Sequence, residues 1–154
     1  MAPSELPKHL ETLLRQDSDR ISIARDIAEA IRNLGPFRWT GIYDVDIERG
    51  VVSNVAWSGP SAPEYPTFPL TKGLTSRAIA GKKTVNIGDV ANDSDYLTAL
   101  ATTRSEIIVP VLDNRGLVIG TIDVESERPN AFDSRAQELL EECAAVLRKF
   151  WNKP

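Results

Sequence analysis

Cysteine and histidine are nearly missing from this chain: Cys143 and His9 are the only examples among 154 residues. One cysteine excludes an intrachain disulfide and any zinc site built on cysteine ligands. One histidine excludes metal centres that need two or three imidazoles. His9 lies in a polar N-terminal segment and no Gly-x-Ser-x-Gly elbow accompanies it, so a Ser-His-Asp triad has no support. Long apolar runs are missing as well, and none approaches the roughly 20 residues of a membrane-spanning helix. The opening stretch MAPSELPKHLETLL lacks the basic start and apolar centre of a secretion signal, so a cytoplasmic protein is the expectation. Positive charge is neither abundant nor clustered: 18 Lys and Arg face 22 Asp and Glu, for a formal charge of −4. Without a basic face to neutralise phosphates, neither nucleic-acid nor membrane binding is expected.

Two partial motifs fail for want of a glycine. Gly81-Lys82-Lys83-Thr84 resembles the end of a phosphate-binding loop, but Ser76 stands where that motif needs Gly. Asp44-x-Asp46-x-Glu48 resembles a calcium loop, but Arg49 replaces the required Gly and Val55 the closing Glu. No metal and no cofactor are expected.

What the chain does have is concentrated in Thr103–Ser126. Ile107, Ile108, Val109, Val111 and Leu112 form one apolar run; Leu117, Val118, Ile119, Ile122 and Val124 form a second. Asp113-Asn114-Arg115-Gly116 between them is hairpin chemistry, with Asn and Gly where positive φ is needed. Three carboxylates interrupt this apolar hairpin: Glu106, Asp123 and Glu125. A carboxylate in a half-buried strand is costly unless it meets a partner or a ligand. Asp123 and Glu125 share one strand face. Pairing symmetric about Asn114-Arg115 places Glu106 opposite Asp123, and such opposed charges call for a cation between them, either a ligand or a side chain such as Arg104. The competing arrangement is a solvated sheet face with Arg104 or Arg128 as surface partners.

The rest of the chain reads helix, sheet, helix. Ser4 can cap a first helix with the stripe Leu6, Leu10, Leu13, Leu14. Ile21, Ala24, Ile27, Ala28, Ile31 and Leu34 make a second stripe, ended by Gly35-Pro36. Arg38–Val45 and Val51–Ser58 read as strands joined by a turn. Pro60, Pro63, Pro66 and Pro69 mark an irregular connection. Gly73–Ala80 suits a short helix, Thr84–Ile87 a short strand, and Asp89–Ala101 a loop with a short helix. Asp133 can cap a last helix with the stripe Ala136, Leu139, Leu140, Cys143, Val146, Leu147, Phe150. Consecutive hairpins imply antiparallel pairing.

These residues resemble a known family. W-x-G-x-Y at Trp39–Tyr43, the Leu70–Ile79 segment, K-K-T-V-N-I-G-D-V at Lys82–Val90, S-E-I-I-V-P-V at Ser105–Val111, G-x-I-D-V-E-S at Gly120–Ser126 and Phe132-Asp133 before the last helix are similar to a GAF domain. The resemblance covers roughly residues 20 to 150 and implies an α+β fold. A central antiparallel sheet of five to six strands carries the N- and C-terminal helices on one face and a ligand pocket on the other. The chain then reads as one domain, 1–154, with a helical extension over 1–20 and a core over 21–151. Within that family the pattern resembles free methionine-(R)-sulfoxide reductases. Carried over by position, Trp39, Tyr43, Asp89, Glu106, Asp123 and Glu125 are the implied pocket residues. Those enzymes also need cysteines in segments that here read Tyr65, Thr75 and Ala99, and their chemistry requires an attacking and a resolving thiol. Cys143, in the middle of a helical stripe, reads as a core residue.

The expectation is therefore a non-catalytic sensor or regulatory module that binds a small ligand, an amino-acid-like or other small metabolite. An acidic rim with aromatic walls suits an ammonium group. The alternatives are a sulfoxide reductase or divergent relative, and a dimerisation module with a vestigial pocket. Trp151 extends the apolar surface of the last helix, so a homodimer through the terminal helices is expected. With no output domain in the sequence, a sensor would act on a partner protein in trans.

Overall fold

The computed structural model describes residues 1–97 and 100–152. Its elements run α1 (Leu6–Leu14), α2 (Arg20–Arg32), β1 (Trp39–Asp46), β2 (Val51–Ser58), β3 (Thr67–Pro69), α3 (Gly73–Gly81), β4 (Val85–Ile87), β5 (Ser105–Leu112), β6 (Val118–Ser126) and α4 (Ser134–Asn152). The strands form one six-stranded sheet in the order β3-β2-β1-β6-β5-β4, antiparallel throughout. The local hairpins β1–β2 and β5–β6 are joined by the non-local β1–β6 pairing, which sets Trp39 beside Glu125 and Gly41 beside Asp123.

The two sheet faces divide the work. On one face Ile42, Ile107, Val109, Val111, Ile122 and Val124 pack with α1, α2 and α4 in the main apolar core. On the other, Trp39, Tyr43, Val45, Val52 and Val118 form a smaller cluster, and Leu74 and Ala78 of α3 cover Ile108. Because β1, β5 and β6 are buried on both faces, side chains at alternate positions enter two different interiors.

Two helices begin on aspartate caps, Asp133 as expected and Asp19 not singled out by the sequence pattern. The Asp19 side chain accepts from Ser22 N–H (2.9 Å) to start α2, and Asp133 accepts from Ala136 N–H (2.8 Å) to start α4. Ser4 does not cap α1. It lies in a 3-10 turn, Pro3–Glu5, where Ala2 N–H donates to the Glu5 carboxylate (2.9 Å). The α1 leucines are all buried, and α1 packs mainly on α4 and also on α2 as an outer layer over the core. In α2 the buried stripe is Ile23, Ala24, Ile27, Ala28 and Ile31, whereas Ile21 is 54% exposed. Two residues along a helix is about 200° of rotation, so Ile21 and Ile23 cannot both face the sheet. The proline-rich connection contains a strand that its composition hid: β3, three residues ending in Pro69, pairs with Val51–Ser53 of β2.

The β5–β6 register differs from the symmetric one. Glu106 lies opposite Glu125, and Asp123 opposite Ile108. A register shift at Val111/Leu112 and a wider turn account for this: Asp113 N–H donates to Leu117 O (2.8 Å), and the Asp113 carboxylate accepts from both Arg115 and Leu117 N–H. Gly116 has the positive φ (79°); Asn114 is not among the described positive-φ residues. Trp151, too, is used inside the domain. Its ring lies on Gly120, and its indole N–H donates to Tyr43 O (3.2 Å). Among the described residues no helix is long and apolar enough to cross a membrane.

Candidate functional site

The spacing W-x-G-x-Y puts Trp39, Gly41 and Tyr43 on one face of β1. The two rings approach to 6.4 Å between centroids, tilted by 46°. A Cβ on residue 41 would stand 2.3 Å from the Trp39 ring and 2.8 Å from the Tyr43 ring, so only glycine lets them close over the strand. Trp39 is fully buried and its indole N–H donates to Ser61 O (3.1 Å), which ties the loop after β2 over the sheet. Phe68 of β3 meets Tyr43 edge-on at 5.9 Å.

Beside this aromatic wall lie the three carboxyls. Asp123 and Glu125 follow the two-residue period of β6, and the β5–β6 register brings Glu106 to the same face. One oxygen from each falls within 4.8 Å of the others. They are not solvated: Glu106, Asp123 and Glu125 are 3%, 7% and 0% exposed. No ion pair to any of them occurs among the described residues. Arg104 does not enter the cluster; its half-exposed side chain pairs with Asp89 at 3.5 Å. The carboxyls hydrogen-bond one another, Glu106 with both Asp123 and Glu125, and their further partners are hydroxyls: Tyr96 OH (3.1 Å) and the Thr103 hydroxyl both donate to Glu125 Oε1. Asp123 Oδ1, Glu125 Oε2 and the Thr121 hydroxyl, on the same sheet face, are buried without a hydrogen-bond partner.

Burial governs the titration of the cluster. Burial first, and the neighbouring Asp123 and Glu125 second, push the Glu106 carboxyl well above its ordinary range. Burial pushes Asp123 up to about 6, and burial with the Asp123 charge pushes Glu125 up to about 8. The same burial and the same three carboxyls raise the Tyr43 phenol. Like charges this close in a dry site cannot all ionise unless a cation joins them. Three carboxylate oxygens suit an ammonium group or a hard metal ion.

A cavity of about 20 Å³ lies above Glu106, Asp123 and Tyr43, roofed by Tyr65, Phe68, Leu74, Thr75 and Leu97. That volume holds roughly one water molecule. Of the six expected site residues, Tyr43, Glu106 and Asp123 line this cavity; Glu125 adjoins them in the carboxyl cluster, and Trp39 stands behind Tyr43. Asp89 is not among the lining residues; it starts the turn Val90–Asn92 by accepting from Ala91 N–H (3.1 Å). The sequence reading missed Tyr96 and Thr103, whose only signal was a hydroxyl in a loop that the fold returns to Glu125. Tyr65 and Thr75, at positions where the resemblance implies cysteine, line the roof; Ala99 lies outside the described residues. Cys143 faces the α4 core, on the other side of the sheet, and burial pushes its thiol up to about 12.

A GAF domain family model matches residues 17–148. The chain is 28% identical over 138 residues to GAF domain-containing protein A of Dictyostelium discoideum, covering 90% of this chain and 85% of that protein. It is 32% identical over 113 residues to the free methionine-R-sulfoxide reductase of Saccharomyces cerevisiae, covering 72% and 61%. The structure of free methionine-R-sulfoxide reductase from Neisseria meningitidis in complex with its substrate superposes with a TM-score of 0.87 at 27% identity, over 97% of this chain and 88% of that one. With the six-stranded antiparallel sheet, these matches place this chain in the GAF domain family.

Proposed function

We propose that this protein is a non-catalytic, small-ligand-binding GAF domain that senses an ammonium-bearing, amino-acid-like metabolite. One observation carries the reading: three buried carboxyls meet beside Tyr43 with no basic side chain to neutralise them among the described residues. A fold that needed only stability would place apolar residues there, since buried charge without a partner is destabilising. An ammonium group would supply the missing cation, with the Tyr43 ring within cation–π range. The ligand exceeds one water in size, so its entry displaces the roof, where Tyr65 is already half exposed on the loop before β3. A thermal-shift panel of free methionine sulfoxide, methionine, other amino acids and simple amines tests this. Ammonium-bearing compounds are expected to raise the midpoint, because they bind only the folded state; neutral analogues are not. A panel in which no amine shifts the midpoint contradicts the reading and favours the vestigial-pocket alternative, which the small cavity supports.

Similarity to sulfoxide reductases favours an enzyme as the second reading. The thiol chemistry works against it: Cys143 is buried in the core away from the cavity with its thiol pushed up to about 12, and Tyr65 and Thr75 carry no thiol. No turnover of free methionine sulfoxide with thioredoxin and its recycling system is expected; turnover lost in Cys143→Ser would reverse this. The proposal extends to assembly: a homodimer through the terminal helices, acting on a partner protein in trans. Light scattering that gives a monomer mass at high concentration would count against the dimer.

A further inference from the structure

Two long strands of the sheet run past their outer neighbours, and the two open stretches differ. β4 pairs with β5 only at residues 106–108, and β3 pairs with β2 only at residues 51–53. Beyond β4 the open stretch of β5 carries Pro110, and Lys82, Lys83 and Arg148 line the groove beside it. Proline and lysine are the residues that keep a bare strand edge from recruiting another chain. The open stretch of β2, residues 54–58, has neither. A bulge between Ile42 and Tyr43 in the β1–β2 register marks where pairing with β3 ends. Asn54 N–H makes the last backbone bond to that side, to Pro66 O (2.7 Å). Past Asn54 no backbone partner on that side of β2 occurs among the described residues.

This bare edge borders a groove of about 450 Å³ between β2 and α2. On the α2 side Arg25, Glu29 and Arg32 line it, and the spacing i, i+4, i+7 puts them on one helix face. None of the three makes an ion pair among the described residues. Arg32 Nε donates to Ser58 Oγ (2.8 Å), which holds its guanidinium against the end of β2. The face therefore reads plus, minus, plus. Ile21, 54% exposed, and half-buried Val55 add apolar surface to the same groove. We propose that the open edge of β2 accepts an extended segment of a partner protein as an added strand, and that the α2 face selects a segment whose alternate residues read acidic, basic, acidic. The edge fixes the backbone, because only an extended chain matches its N–H and C=O groups. Alternate side chains of the added strand face the groove. A Glu-x-Lys-x-Glu segment thus sets its acids against Arg25 and Arg32 and its base against Glu29. Its two acids stand about 13 Å apart at strand rise, and the Arg25 and Arg32 backbones about 10.5 Å apart at helical rise, a difference that the long side chains absorb. The pattern is the same in both directions, so it specifies charge order and not strand direction. The edge gives the action on a partner in trans a surface, and it stands apart from the ammonium reading.

The probe is a fluorescein-labelled peptide, Thr-Glu-Val-Lys-Val-Glu-Val-Thr, titrated with the full chain and followed by anisotropy. Its control is the charge-reversed Thr-Lys-Val-Glu-Val-Lys-Val-Thr. The first peptide is expected to bind saturably and the second about tenfold or more weakly, since each opposed pair becomes a like-charge pair. Arg25→Glu, at an exposed position, should narrow or invert that preference. N-methylation of every second residue of the first peptide removes the N–H groups on one strand edge. One phase of methylation should abolish binding and the other spare it, as strand addition requires. Equal affinity for the two charge orders overturns the proposal, and this wild-type comparison decides even where Arg25→Glu fails to fold. Equal loss in both methylation phases overturns it as well. A dimer in light scattering that Arg25→Glu dissolves assigns the edge to a second copy of the chain and also overturns it. Binding of neither peptide overturns it whatever amines do in the thermal-shift panel. A panel without shifts beside intact peptide binding removes the ammonium reading alone.

Discussion

Residue by residue, the unusual groups are Glu106, Asp123 and Glu125, and their burial has a measurable consequence in pH. Their folded pKa values lie above the ordinary 3.8 and 4.5: about 6 for Asp123 and about 8 for Glu125, with Glu106 raised well above 4.5. The folded chain keeps protons that the unfolded chain releases, so stability is greatest below the ordinary carboxyl range and declines as pH rises to about 8. Urea midpoints of Glu125→Gln should lose much of this decline, and a slope equal to that of the wild type would refute the assignment. Gly41 is the second residue with a sharp expectation. The Cβ of Gly41→Ala would sit 2.3 Å from the Trp39 ring, and overpacking a core typically costs about 1–3 kcal/mol. Equal stability of the variant would mean the rings do not close over β1. Cys143, fully buried with its thiol at about 12, should resist iodoacetamide until the chain unfolds.

Among the elements, local patterns were legible and register was not. The two-residue period of β6 correctly places Asp123 and Glu125 on one face, and Asp133 marks the start of α4 by its side chain, whereas the Asp19 cap of α2 went unread in the polar stretch before it. The β5–β6 pairing escaped because the Asp113 carboxylate holds two N–H groups and widens the turn, a choice that counting symmetric partners cannot see. Ile21 escaped because a string of apolar residues two apart can be phased two ways on a helix. Trp151 looked like free surface because its partner, the bare backbone of Gly120, is distant in sequence. That contact ties the end of α4 to β1 at Tyr43, while Arg20 at the start of α2 pairs with Asp44 (2.6 Å) and lies 4.6 Å over the Phe150 ring. Trp151→Phe should lose about 1 kcal/mol with the indole hydrogen bond, and Gly120→Ala should lose more, since its Cβ would meet the indole at 2.2 Å. Chemical denaturation of the two variants checks that order.

For the whole molecule, the fold class follows from motif order, whereas the strand order β3-β2-β1-β6-β5-β4 depends on the non-local β1–β6 pairing that no local pattern announces. The candidate site divides the same way. Tyr43, Glu106 and Asp123 converge because they lie on strands, and Tyr96, Thr103 and Thr75 reach the same place from elements whose approach only tertiary packing decides. The central claim is that the carboxyl cluster is kept for a cation at the expense of stability. The most direct measurement is the thermal midpoint of Glu106→Gln/Asp123→Asn beside the wild type, with and without methionine sulfoxide, above the titration of Glu125 at about 8. The account predicts a higher midpoint for the ligand-free variant and no shift on adding ligand, against a clear shift in the wild type. A variant that melts lower than the wild type and still shifts with ligand would contradict it.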